Sequence, residues 1–144
     1  MHEETERVDA VLDEFHAAAS AADETRYFAT LAPGAVFIGT APGDRWGGQE
    51  FREFVHGYFP DGKGWTYAPS DRAVDIGEDG RTAWFDERLE NDSYGECRGT
   101  GVLQLHGGEW KIEQYNLSIP IPDELAAEVV QRIRALGPGE VRPA

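Results

Sequence analysis

Residues 65–119 read WTYAPSDRAVDIGEDGRTAWFDERLENDSYGECRGTGVLQLHGGEWKIEQYNLSI. Four runs rich in β-branched and aromatic residues, 65–76, 81–90, 96–106 and 110–119, are parted by Gly77-Glu78-Asp79-Gly80, Asn91-Asp92-Ser93-Tyr94-Gly95 and Gly107-Gly108. Each connection holds a residue able to take positive φ, which is the chemistry of a hairpin turn. The stretch predicts an antiparallel meander.

Upstream, Val8, Val11, Leu12, Phe15, Ala18, Ala19 and Ala22 recur at three- and four-residue spacing, so residues 4–22 form a helix with one apolar stripe. Asp23 can cap a short second helix running through Ala32, with Pro33-Gly34 ending it. A strand is expected over 35–40, a loop over 41–47, and a third helix over 48–58 carrying Phe51, Phe54, Val55 and Tyr58 on one side. Downstream, Pro120 and Pro122 break the last strand. A final helix from Asp123 to Leu136 follows, with Leu125, Val129 and Ile133 in step, and Gly137 stops it.

Helices gathered ahead of a run of hairpin strands indicate an α+β fold. The expected architecture is a cone-shaped, strongly curved antiparallel sheet packed on the N-terminal helices, with an added C-terminal helix. The mouth of such a cone is a natural small-molecule site. One domain is expected over 1–137, and 138–144 reads as a flexible tail.

Composition narrows the function. The chain has 144 residues, 40% apolar and 28% charged, an ordinary balance for one globular domain. The formal net charge of −14 repels phosphate backbones and anionic lipid, and no basic stripe offsets it, so neither nucleic acid nor membrane is an expected partner. The acidic start MHEETERVDAV has no apolar leader, and the expected location is cytoplasmic. Cys97 is the single cysteine, which leaves no intramolecular disulfide and no thiolate zinc site. His2, His16, His56 and His106 are not spaced as a metal motif, and no phosphate-binding glycine loop is present, so no metal or cofactor is expected.

With this order of elements, three stretches resemble the nuclear transport factor 2-like superfamily, and within it the SnoaL-like domains. They are Val36-Phe37-Ile38-Gly39-Thr40 leading to Arg45-Trp46; Ala83-Trp84-Phe85-Asp86-Glu87 with Tyr94-Gly95 and Arg98-Gly99-Thr100-Gly101-Val102-Leu103; and Gly108-Glu109-Trp110-Lys111-Ile112 followed by Tyr115-Asn116-Leu117-Ser118. The likeness spans Val8 to Ser118. It implies the cone fold and a choice among isomerases, cyclases, dehydratases and non-catalytic binders, because the fold hosts unrelated functions. The resemblance also implies homodimers. Many members carry a His after the Trp-x-Ile pattern of the last strand, where this chain has Gln114. The base that such a ring supplies is missing from that position.

The candidate site follows from strand alternation. Ala83, Phe85, Glu87 and Leu89 share one face, and Trp84, Asp86 and Arg88 the other. If the first face is internal, Glu87 is a desolvated carboxylate of raised pKa, suited to proton transfer; with reversed parity Asp86 takes its place. One hairpin register sets Arg98 opposite Glu87 as an ion pair or a ligand contact. The next sets Gly99 there, leaving open space. Trp110, Ile112, Gln114 and Asn116 share a parity, so the two amides are expected to line the cone. Trp46, Tyr58, Trp65 and Phe85 suit an apolar or aromatic ligand. His16 borders the apolar stripe of the first helix and reads as a structural histidine within reach of the cone.

Three functions remain open. A binding protein needs an aromatic, amide-lined void. An isomerase, cyclase or dehydratase needs Glu87 enclosed beside that void. A dimeric interaction module would have a filled cone and an apolar outer sheet face.

Overall fold

The computed structural model describes residues 2–137, so the tail expected over 138–144 lies outside the described residues. Helix α1 (His2–Ser20) is followed by α2 (Glu24–Ala29), β1 (Leu31–Ile38), β2 (Arg45–Gly47), α3 (Gln49–His56) and a 3₁₀ turn at Phe59–Asp61. The meander comes next: β3 (Ala68–Ile76), β4 (Thr82–Asn91), β5 (Gly95–His106) and β6 (Glu109–Ser118). Helix α4 (Asp123–Leu136) ends the described chain. The strands form one open six-stranded sheet in the order β2-β1-β6-β5-β4-β3.

The sheet is mixed, not wholly antiparallel as expected, because β1 runs parallel to β6. This pairing also changes where the second helix stops. Thr30 caps α2 after Ala29, and Leu31 already pairs with Ile112. Pro33 and Gly34 fall in the irregular stretch between Leu31 and Val36, where the ladder requires no donor, so a proline fits inside the strand. The loop expected over 41–47 yields the short strand β2, antiparallel to β1. The strand expected from Trp65 begins at Ala68.

Helix α1 lays Val8, Leu12, Phe15 and Ala19, all buried, onto the concave face of the sheet. There they meet Ala83, Phe85, Leu89, Leu103 and Ile112, and burial of side chains of the larger kind is worth about 1.5–3 kcal/mol each. Tyr27 of α2 and Phe51 and Val55 of α3 close the core from the other side. Helix α4 behaves differently. It buries no residue, and Leu125, Val130, Ile133 and Leu136 remain exposed. None of the described helices is long and apolar enough to cross a membrane.

A carboxylate held at the floor of the cone

Two irregularities in the sheet create the site. The first is in β6. Val102 pairs with Gln114 and Leu103 with Ile112, so Glu113 is an extra residue that shifts the alternation. Trp110 and Ile112 are buried on one side of the bulge, and Tyr115 and Leu117 on the other. The orientation expected for Gln114 and Asn116 is thereby corrected: they pair across from Val102 and Thr100 on the outer face, and Tyr115 points inward.

The second irregularity is in β3. The register skips between Ser70 and Ala73, opposite Arg88 and Asp86, and Asp71 takes φ 48. Asp tolerates this left-handed conformation better than most residues. The extra residue lets Arg72 reach inward toward Glu87, with Val74 and Ile76 continuing the inner face.

Glu87 is 1% exposed and sits opposite Gly99. Three donors meet its carboxylate. Arg72 Nε donates to Oε1 at 2.7 Å, Tyr115 Oη donates to Oε2 at 2.6 Å, and His16 Nε2 lies 2.7 Å from Oε2. The open space expected beside Gly99 is filled, since a Cβ there would collide with the Tyr115 hydroxyl. Gly99 is what allows Tyr115 to reach the carboxylate. The Arg72 guanidinium continues outward to Asp9 and Asp13 of α1.

Burial works to raise the Glu87 carboxyl, but the His16 and Tyr115 hydrogen bonds and the charge of Arg72 outweigh it. The group sits below its ordinary range, which corrects the expectation of a raised pKa. Burial first, and the Glu87 charge second, push Tyr115 well above the usual phenol value, so it remains a protonated donor. The sign of the pH effect follows. A carboxyl that titrates lower in the folded than in the unfolded chain stabilises the fold above its unfolded pKa. That contribution is lost as pH falls below the ordinary value of 4.5 and through the folded one. In urea unfolding between neutral pH and acid, Glu87→Gln is expected to lose less stability over this window than the unaltered protein. Equal losses would mean that Glu87 is not a depressed, buried carboxylate.

Above this floor the cone narrows and then opens. A throat of about 20 Å³ is lined by His16, Phe15, Tyr115 and Leu89. It shares Phe37, Trp65, Tyr67 and Leu117 with a mouth cavity of about 240 Å³, which adds Trp46, Phe54 and Asp44. Of the expected ligand residues, Trp46 and Trp65 line the mouth. Phe85 is buried beneath it, packed on Tyr115 at 5.6 Å between ring centroids. Tyr58 is 44% exposed and touches Phe54 from outside the cavity lining. Arg98 lies opposite Arg88 on the outer face, and Asp86 is exposed there too, which removes both from the cone. Among the described residues, no cluster of three or more His, Cys, Asp and Glu is placed to hold a metal ion.

The three residues that meet Glu87 (His16, Arg72 and Tyr115) were not expected as its partners, and each left a trace in the sequence. Asp9, Asp13 and His16 follow one another at three- and four-residue steps, a polar line beside the apolar stripe of α1. Arg72 shares its parity with Val74 and Ile76, the inward residues of β3. Tyr115 has the wrong parity with respect to Trp110, and only the bulge places it inside.

The SnoaL-like domain model matches residues 8–122, and the chain belongs to that family. Several solved structures share the fold. A candidate dehydratase of the nuclear transport factor 2-like family from Streptomyces avermitilis is 15% identical, with a TM-score of 0.70 over 84% of this chain and 99% of that one. A nuclear transport factor 2-like protein of unknown function from Pseudomonas putida KT2440 is 14% identical, with a TM-score of 0.70 over 86% and 92%. A candidate scytalone dehydratase from Novosphingobium aromaticivorans is 11% identical, with a TM-score of 0.64 over 82% and 85%. At these identities the likeness concerns the fold. No curated protein matches the chain.

Proposed function

We propose that this protein binds a small aromatic or apolar molecule in the mouth of the cone and moves a proton on it, with His16 as the transferring group. One observation carries the reading: His16 lines the throat while its Nε2 is held 2.7 Å from a buried carboxylate that Arg72 and Tyr115 fix from two further directions. A carboxylate so held selects the imidazole tautomer with hydrogen on Nε2 and leaves the Nδ1 lone pair for a ligand proton. Glu87 is then a positioning residue, its two oxygens already occupied by protein donors. Tyr67 lines both throat and mouth, and burial pushes its phenol up to about 12, so it stays protonated and its position lets it donate to a ligand oxygen. The reaction class is proton abstraction next to a carbonyl, the step shared by isomerases, cyclases and dehydratases. That two fold relatives are candidate dehydratases agrees with this class.

The test is solvent deuterium exchange into aryl ketones, led by 2-tetralone, followed by proton NMR. The unaltered protein is expected to accelerate exchange at the carbon beside the carbonyl. Binding without acceleration across the set would reduce the function to ligand binding.

We also propose that two copies pair through the outer sheet face, where Val36, Ile38 and Val102 are half-buried and Trp84 is 48% exposed. Light scattering at micromolar concentration is expected to give the dimer mass; a strict monomer would rule the pairing out.

A further inference from the structure

The mouth cavity combines two features that favour one sign of ligand charge. Its wall is aromatic: Phe37, Trp46, Phe54, Trp65 and Tyr67 are each half-buried, packed on the core with part of their surface left toward the opening. Trp46 and Phe54 lie 4.7 Å apart between centroids, and Phe54 and Trp65 lie 6.2 Å apart, so the rings form a continuous wall and not scattered contacts. Such ring faces carry negative quadrupole potential and attract cations within about 6 Å of a centroid.

The second feature is Asp44. Its Oδ2 accepts the Ala41 backbone N–H at 3.0 Å, which fixes the side chain at the rim, and Gly39 leaves room for it because a Cβ there would lie 2.9 Å from the Asp44 Cβ. Asp44 has no ion-pair partner among the described residues, whereas Arg72, Arg26 and Arg7 are engaged with Glu87, Glu14 and Glu4. No Lys, Arg or His lines the mouth. The chain as a whole carries −14, so the long-range field adds to the local one.

We infer that the mouth cavity selects a cationic ligand, an alkylated ammonium or comparable amine borne on an apolar or aromatic body, held between the aromatic wall and the Asp44 carboxylate. The inference rests on the mouth being the ligand site proposed above, and it names the charge of what enters. Asp44 and the aromatic wall fix the charged end at the rim, and the uncharged end of the ligand points down the shared lining toward His16.

The experiment compares two probes of the same shape, 3-(trimethylammonio)phenol and 3-tert-butylphenol, by isothermal titration into the unaltered protein. The cation is expected to bind about tenfold more tightly than the neutral isostere. Added salt should narrow the gap by screening the rim carboxylate. Asp44→Asn, which keeps an oxygen for the Ala41 N–H, should weaken the cation and leave the neutral probe nearly unchanged. Equal binding of the two probes, or tighter binding of the neutral one, overturns the inference while leaving the pocket standing. Failure of both probes to bind overturns the pocket and this inference together. Because the isostere comparison uses the unaltered protein, it decides the matter even if Asp44→Asn does not fold.

Discussion

Arg72→Met is expected to destabilise the protein by about 3–5 kcal/mol, the cost of removing one partner from a buried ion pair. The guanidinium is 9% exposed at the side chain and Glu87 0%, so solvent cannot take over the role of the missing charge. Met keeps the length and apolar body of Arg but neither donates to Glu87 nor satisfies the backbone carbonyl of Asp9, which Arg72 also reaches. The contacts to Asp9 and Asp13 contribute little to this figure, since those carboxylates are 45% and 66% exposed. Glu87 can relieve part of the penalty by taking up a proton, which fixes the second half of the prediction. Arg72→Met combined with Glu87→Gln should be less destabilised than the sum of the two single changes, because the second removes the charge that the first strands. Urea unfolding of the four proteins of this cycle measures both numbers. A loss below about 1 kcal/mol for Arg72→Met would place Arg72 among ordinary surface ion pairs and would be incompatible with a buried network.

His16→Ala is expected to lower the exchange of the ketone probes by about 10²–10⁴-fold, the usual contribution of a positioned acid–base group. Probe affinity should change far less, because the aromatic mouth supplies the binding area and His16 touches only the throat. Glu87→Gln makes the sharper test of how the two residues divide the work. Its amide can donate to Nε2 where the carboxylate accepts from it, which forces hydrogen onto Nδ1 and removes the lone pair facing the ligand. Exchange should then fall by a comparable factor with little change in probe affinity, and Glu87→Asp should restore part of it. If Glu87→Gln exchanged the probes as fast as the unaltered protein, Glu87 would be a structural anchor only. If His16→Ala did so, the proton-transfer proposal would fail whatever Glu87 does.

Much of this protein was legible in its sequence. Turn chemistry at Gly77–Gly80, Asn91–Gly95 and Gly107-Gly108 fixed four strands, and each is present within a few residues of its expected ends. The three- and four-residue recurrence of Val8, Leu12, Phe15 and Ala19 fixed α1 and the face it buries. Alternation in β4 grouped Ala83, Phe85, Glu87 and Leu89 on one face, and that face is the buried one. These are local properties: a helix period, a strand period and the φ demanded by a turn depend on residues close together in the chain.

The constitution of the site was not legible in the same way. Whether Glu87 stood alone or in a network depended on a one-residue choice of register, and a one-residue slip exchanges Arg98 for Gly99 opposite it. The bulge at Glu113 reversed the parity of Gln114 and Asn116 and delivered Tyr115 instead. The irregularity around Asp71 delivered Arg72, and the docking of α1 on β3 and β6 delivered His16 from 71 residues away. A bulge is chosen by how two strands and a helix pack together, so its energy belongs to the assembled sheet and not to the segment that contains it. The sequence by itself therefore determined most of the elements, the buried face of α1, and that one acid of β4, Glu87 or Asp86, faces inward. Only the tertiary structure decided that this acid is an ionised, three-donor anchor beneath a histidine, because the charge state of a buried group is set by neighbours brought together through folding.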